Sequence, residues 1–301
     1  MAEPLRLGLS GSAFAYVMPR EVLARTFAPT DGKSVKLDDR QNAMMVDFMR
    51  DMMSVMSSSR VEAMECYHST AWDRDAIIDV VDVAPNIEIW SVHSPYGRWF
   101  DPSSPDPEAR AGGIEAYCDA VEAARMLGAK VVVAHPGANV QYDTPKSERL
   151  KLAVEPFQKI ADLAGESGIK VAIEPLPKQE PGSTLDEVLW LIDHIKRPNV
   201  GVNLDVNHLF PPEQVPSYIE KAGDLIINVH ISDQDGQERH WLPFQGTLDW
   251  QRIIDSFVKI GYAGPLVYET HIRDAKTCED VGRAVVENYS KLIALAPISS
   301  T

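Results

Sequence analysis

Ile169-Lys-Val-Ala-Ile-Glu174, then Thr184-Leu-Asp-Glu-Val-Leu-Trp-Leu-Ile-Asp-His-Ile195, then Val200-Gly-Val-Asn-Leu-Asp205 is the stretch that decides the fold. Two short β-branched runs flank a segment whose apolar residues recur at helical spacing. Thr184-x-x-Glu187 has the form of a capping box, so the middle segment reads as a helix with a defined start. Both outer runs end on a carboxylate. The same unit repeats outward. Strand-like runs fall at 5–10, 61–67, 87–93, 130–135, 169–174, 200–205, 225–231 and 265–269. Helical stretches fall near 40–57, 73–83, 110–127, 146–166, 184–195, 213–222, 249–259 and 279–294. Gly128, Gly168 and Gly261 stand where helices should stop. This alternation predicts one α/β domain over residues 1–301, a single (β/α)8 TIM barrel with a parallel eight-stranded core. An open doubly wound sheet usually has fewer strands, and no GxGxxG follows the first run. Residues 11–39 and the proline-rich 95–109 read as long loops.

The 301 residues carry 29 Lys+Arg against 44 Asp+Glu, a net charge of −15, with 45% hydrophobic and 24% charged residues. That balance excludes a disordered or collagen-like chain. No apolar run approaches a membrane span, and the start Met-Ala-Glu-Pro-Leu-Arg lacks a signal-type core, so the expectation is a cytoplasmic protein without a membrane partner. Cys66, Cys118 and Cys278 are too few and too scattered for a disulfide framework or a cysteine zinc cluster. The acidic balance argues against nucleic acid as a partner, since phosphate backbones repel it. Gly32-Lys33-Ser34 is not a phosphate loop, because Phe27 stands where the first glycine is required. Gly8-Leu9-Ser10-Gly11 is followed by Ser12 and is not a nucleophile elbow, and no HExxH occurs.

The strand ends carry the chemistry. His93 ends the third run, His135 the fourth, Glu174 the fifth and Asp205 the sixth, with His208 three residues on. His230 lies in the seventh and Glu269 ends the eighth. In a barrel these ends converge on one mouth. Glu174, Asp205, His230 and Glu269 then form an arc of three carboxylates and one imidazole, which cannot all stay charged without a cation. The donor set suits Mn²⁺, Mg²⁺, Co²⁺, Fe²⁺ or Zn²⁺. The methionines at 44, 45, 49, 52, 53 and 56 have helical spacing and read as core. Asp73-Arg74-Asp75 reads as a solvated helix face, and His194 as structural.

On these residues the chain resembles the xylose-isomerase-like TIM-barrel superfamily. The resemblance is carried by Trp90-Ser-Val-His93-Ser-Pro, Val131-Val-Val-Ala-His135-Pro-Gly, Val171-Ala-Ile-Glu174-Pro-Leu, Val202-Asn-Leu-Asp205-Val-Asn-His208, Val229-His230-Ile-Ser-Asp233, His240-Trp-Leu-Pro-Phe-Gln-Gly246-Thr-Leu-Asp249-Trp250 and Val267-Tyr-Glu269. It implies a divalent-metal-dependent sugar isomerase or epimerase working through an enediolate. One metal ion, Mn²⁺ for preference, would sit on Glu174, Asp205, His230 and Glu269, with the two glutamates as acid and base. His93, His135, Glu180, His208 and His240 would meet a small sugar or polyol. Trp99 and Trp241, with Tyr16 and Phe100, stand on loops expected to overhang the mouth and stack on a sugar face. One departure is Gly236, where the epimerases carry an arginine six residues past the strand-seven histidine; Arg239 is nearby but out of register. A metal-dependent dehydratase or lyase on a keto-sugar or inosose is an alternative within the same chemistry. A sugar-binding barrel without catalysis is opposed by the intact glutamates. The resemblance also reaches the endonuclease IV branch, whose three-zinc ligands match His93, His135, Glu174, Asp205, His208, His230, Glu238, His240 and Glu269, with Glu238 in place of an aspartate. Against a DNA enzyme, the loop 95–109 carries one Arg and three acids. The pattern leaves a homo-oligomer open.

Overall fold

The computed structural model describes residues 5–26, 36–73, 80, 83–177 and 180–296. Eight strands, β1 (Leu7–Ser10), β2 (Ala63–Tyr67), β3 (Glu88–His93), β4 (Val131–Ala134), β5 (Lys170–Ile173), β6 (Val200–Asp205), β7 (Ile226–Ile231) and β8 (Leu266–Tyr268), close into a barrel in chain order. Every neighbouring pair is parallel, including β1 with β8. This is the (β/α)8 TIM barrel that the alternation predicts. No helix among the described residues is long and apolar enough to cross a membrane.

The helices form where caps and periodicity coincide. Asp38 caps Asp39–Ser57 and Thr277 caps Cys278–Ile293, each with a full reciprocal capping box. At Thr184 half of the expected box forms: its side chain accepts from the Glu187 N–H. Gly128 ends its helix in the left-handed conformation at φ 68, which costs glycine nothing. The helix expected at 146–166 is two, Lys146–Leu152 and Val154–Glu166, joined at Ala153. The loop 11–39 contains the helix Arg20–Thr26, which lacks an obvious start signal. The loop 95–109 is shorter than expected, because Asp106 caps a helix that starts at Pro107. The stretch 73–83 falls mostly outside the described residues, as do Arg74, Asp75 and Gly32-Lys33-Ser34.

The helices that flank the strands lay apolar faces on the barrel. Trp250–Lys259 buries Trp250, Ile253, Ile254 and Phe257, and burial of each such side chain is worth roughly 1.5–3 kcal/mol. Met45, Met49, Met52, Met53 and Met56 are buried as read from their spacing, with Met44 packed against them. Some of them line a cavity of about 490 Å³ between the helix Asp39–Ser57 and the outer face of β2; none of the six strand-end residues lines it.

The barrel interior changes character along its axis. Val131, Val133 and Ala172, with Trp90 and Ile227 against them, form an apolar plug. Two register shifts lie beside it. Met64 pairs with Ile89 but Glu65 with Ser91, so Trp90 is extra; Val202 pairs with Ile226 but Asn203 with Asn228, so Ile227 is extra. Bulges of this kind re-aim side chains at barrel rims. Just beyond the extra residues come Ser91 and Asn228, and the interior becomes polar.

Candidate metal centre

Glu174 and Glu269 stand one residue past β5 and β8, Asp205 ends β6 and His230 lies in β7. Neighbouring parallel strands end at similar heights, so the four side chains converge. One ligand atom from each lies within 4.8 Å of the others, and the group is almost wholly buried. His230 Nδ1 is 3.2 Å from Glu269 Oε2 and 3.5 Å from Glu174 Oε2. Asn203 Nδ2 donates to Glu174 Oε2 at 2.9 Å and lies 3.1 and 3.4 Å from the two His230 nitrogens, close to both as a group over the ring face would be.

Asp205 Oδ2 and Glu269 Oε2 are buried oxygens that accept no well-aligned hydrogen bond, their near nitrogens being His208 Nδ1 at 3.1 Å and His230 Nδ1 at 3.2 Å. Such orphans are costly unless something else meets them. A divalent cation fits: three hard carboxylates, two of them with such an oxygen, and one imidazole form a donor set for Mn²⁺, Co²⁺, Fe²⁺ or Zn²⁺.

The site's electrostatics follow from burial and crowding. Burial works against charge on Glu174, yet His230 and His135 hold its carboxyl well below the usual range. Glu269 is likewise held low, against burial, by His230 and His240. Asp205 goes the other way: burial, with Glu174 and Glu269 near, pushes it up to about 7. Burial opposes charge on His93 too, but Glu174 and Glu65 push it up to about 9. Burial takes His135 down to about 3, and its Nδ1 has no partner.

Four further histidines belong to two more groups. His93, His135 and Glu174 make one; His208, Glu238 and His240 make the other. His93 Nε2 is 3.5 Å from Glu174 Oε2, and its ring is 5.1 Å from that of His135. His208 Nδ1 is 3.1 Å from both Glu174 Oε1 and Asp205 Oδ2. Glu238 Oε1 is 3.8 Å from His208 Nε2 and 3.4 Å from His240 Nε2. Asn207 Oδ1 accepts from the Arg239 and His240 amides, and His240 sits at φ 53, a left-handed conformation rare for histidine.

Glu180 is buried and accepts from the Tyr96 hydroxyl at 3.3 Å, while that hydroxyl accepts from the Asn139 N–H and the Tyr96 ring stands edge-on to His135. Tyr16 is exposed, packs edge-on to His271, and His271 lies 4.7 Å from the His240 ring. Trp241 neighbours His240 and pairs with Asp233, under the Arg239 guanidinium. The described contacts of Trp99 are with Arg98 and Gly112 rather than with the carboxylates. His194 stacks on Trp190 on the outer helix Leu185–Ile195, as a structural histidine does.

Sequence reading missed Glu65, Asn203, Asn228, Tyr96 and His271. A signal existed for the first three: each is a polar residue inside an otherwise apolar strand, which in a barrel has only the interior to face. Tyr96 and His271 lie just beyond strand ends, where the expected sites were sought, but without a spacing pattern of their own.

A family model described as the xylose isomerase-like TIM barrel matches residues 61–290. The chain belongs to the xylose isomerase-like TIM-barrel family. An uncharacterized protein of Methanocaldococcus jannaschii is 27% identical over 211 residues, 67% of this chain and 72% of that protein. The ketose 3-epimerase of Arthrobacter globiformis is 27% identical over 175 residues, 56% of this chain and 59% of the enzyme's length. A crystal structure of D-allulose 3-epimerase from Methylomonas sp. in complex with D-allulose superposes with a TM-score of 0.73 at 19% identity, covering 97% of this chain and 99% of that one. The IolI protein, solved with a bound zinc atom, superposes at 0.72 and 16% identity over 96% and 98% of the two chains.

Proposed function

We propose that this protein is a divalent-metal-dependent isomerase or epimerase of a small ketose or polyol. The observation that carries the reading is the buried arc of Glu174, Asp205, His230 and Glu269, with two orphaned carboxylate oxygens. Its kinship with ketose 3-epimerases supports the substrate class.

A metal ion on the arc supplies Lewis-acid polarisation of a carbonyl, which acidifies the adjacent C–H. The chain's own residues do the rest. Glu174 and Glu269 approach His230 from different strands, and their imidazole neighbours keep both ionised at neutral pH, the state a general base needs. One takes the proton from the carbon next to the carbonyl. Returned to the former carbonyl carbon while the neighbouring hydroxyl proton passes to the carbonyl oxygen, that proton completes an isomerisation; in an epimerisation the other glutamate first takes up a proton from solvent and delivers it to the opposite face, and the first releases its own to solvent. His208, His240 and the Tyr96–Glu180 pair orient hydroxyls. Burial around the cluster keeps water from quenching the enediolate. Glu174→Gln and Glu269→Gln should each lower kcat by at least 10²-fold with the fold intact by circular dichroism. Wild-type rates in both variants would remove the acid/base assignment.

A second reading has its own observation. Two of the three metal-capable groups share Glu174 and the third adjoins them through His208, so the nine side chains form one continuous cluster able to hold more than one ion. That arrangement favours a phosphodiesterase acting on damaged DNA, against the net charge of −15. Metal content per chain separates the two: one Mn²⁺, Mg²⁺ or Co²⁺ for the sugar enzyme, three zincs for the nuclease.

A further inference from the structure

We propose that Glu65 is the positioning residue of the metal centre, fixing the His230 ring so that Nδ1, not Nε2, faces the three carboxylates. The inference rests on the metal-centre reading above and deepens it.

Glu65 is fully buried on β2, and no spacing pattern at the strand ends pointed to it. The register shift before it sets it opposite Ser91, in the polar layer above the Trp90–Ile227 plug. Its carboxylate has four neighbours: Ser10 Oγ at 3.0 Å from Oε1, and Ser91 Oγ at 2.7 Å, His230 Nε2 at 3.0 Å and Asn228 Nδ2 at 3.4 Å from Oε2.

The direction of these bonds is fixed by their far ends. The Trp90 indole N–H can only donate, and it meets Asn228 Oδ1 at 2.8 Å. The Asn228 amide therefore turns its NH₂ toward Glu65. Ser10 Oγ accepts from the Ser12 backbone N–H at 3.3 Å, which leaves the Ser10 hydroxyl hydrogen for Glu65. Surrounded by donors, Glu65 acts as an acceptor. The atom facing it from His230 is then Nε2–H.

That choice decides what the other side of the ring offers. With the proton on Nε2, neutral His230 turns its Nδ1 lone pair toward Glu269 Oε2 and Glu174 Oε2. The chain Trp90–Asn228–Glu65–His230 thus runs from the barrel plug to the metal arc and links both bulged strand pairs. A carboxylate behind a ligating imidazole fixes its tautomer and raises its basicity, and loss of such a partner typically weakens metal binding 10–100-fold. Glu65 is a positioning residue: it acts through His230.

The test is Co²⁺ titration of the full chain after chelator treatment, followed by calorimetry and by the visible Co²⁺ spectrum. Glu65→Gln keeps the size and an accepting oxygen but removes the charge. It should bind Co²⁺ about 10-fold or more weakly. Glu65→Ala should bind still more weakly. Glu65→Gln binding Co²⁺ within twofold of wild type, with an unchanged spectrum, would overturn the inference while leaving the metal centre standing. A wild-type protein that takes up no Co²⁺ would overturn the metal centre itself and the inference with it. If the variants do not fold, ¹⁵N-histidine NMR of the Zn²⁺-loaded wild type decides: a proton on His230 Nε2 supports the assignment and one on Nδ1 refutes it.

Discussion

Replacing Arg149 with methionine should cost about 3–5 kcal/mol of stability, because it strips the partner from a carboxylate that has no access to water. The Arg149 guanidinium donates to Asp101 Oδ2 at 2.8 Å, Ser103 Oγ at 3.0 Å and the Val140 carbonyl at 3.2 Å, and it lies 4.4 Å over the Tyr142 ring. Asp101 is fully buried, and burial raises its carboxyl pKa despite the nearby Ser103 and Arg149. Methionine fills much of the space and removes every donor, leaving Asp101 with the Ser103 amide and hydroxyl alone. With an unfolding entropy of about 2.1 cal/mol/K per residue, that loss lowers the melting temperature by about 5–8 °C. From the helix Lys146–Leu152, Arg149 also ties the loop after β3, through Asp101, to the loop after β4, through the Val140 carbonyl, the same two loops that Tyr96 bridges through the Asn139 N–H. Substrate KM should therefore rise as well. The assay is thermal denaturation of Arg149→Met, Asp101→Asn and the double variant. The double variant should lose less than the sum of the singles, because neutralising Asp101 removes the stranded charge. A drop under about 2 °C for Arg149→Met, or strict additivity, would refute the reasoning.

Gly246→Ala should disturb the loop after β7, since its added Cβ would fall 2.2 Å from the Gln234 carbonyl oxygen and 2.4 Å from Asp233 Oδ1. Asp233 anchors that loop through the Leu248 amide and the Trp250 indole. Overpacking there should cost about 1–3 kcal/mol and raise KM through His240, as read by melting and kinetics; an unchanged variant would contradict the role given to this anchor. The metal-free protein should lose stability as pH rises from 6.5 to 9. His93 has a folded pKa raised to about 9 and Asp205 one raised to about 7, so the native state holds more protons than the unfolded chain in this window. The stabilisation from His93 is full below its unfolded pKa and gone above its folded one, a span of about 3 kcal/mol. A melting temperature that holds or climbs over that window in chelator-treated protein would contradict the assignment. Metal affinity should rise over the same window, because His230 gives up a proton to bind an ion, its pKa being raised, against burial, by Glu65 and Glu269.

The barrel was legible because a parallel strand with both faces buried has few options: short apolar runs at regular intervals, most of them ending on a polar residue. The strand ends at His93, Asp205 and neighbouring positions could be read because polar side chains there have a fixed place, the mouth. What escaped was set by tertiary contact. Glu65 reads as one acid in a short apolar run, and only the bulge opposite and the partners Ser10, Ser91 and Asn228 give it a direction. The Arg149–Asp101 pair joins residues 48 positions apart and carries no local signature. The helix break at Ala153 did carry a mark, Pro156, whose missing N–H withholds the bond to the Leu152 carbonyl; the apolar spacing running through 146–166 hid it.

The most direct test of the proposed function is incubation of the metal-loaded protein with a panel of ketoses in D₂O. Deuterium should enter at the carbon next to the carbonyl of at least one sugar, at a rate abolished by chelation and by Glu269→Gln. No exchange into any ketose, together with three zinc ions per chain and cleavage of damaged duplex DNA, would contradict it.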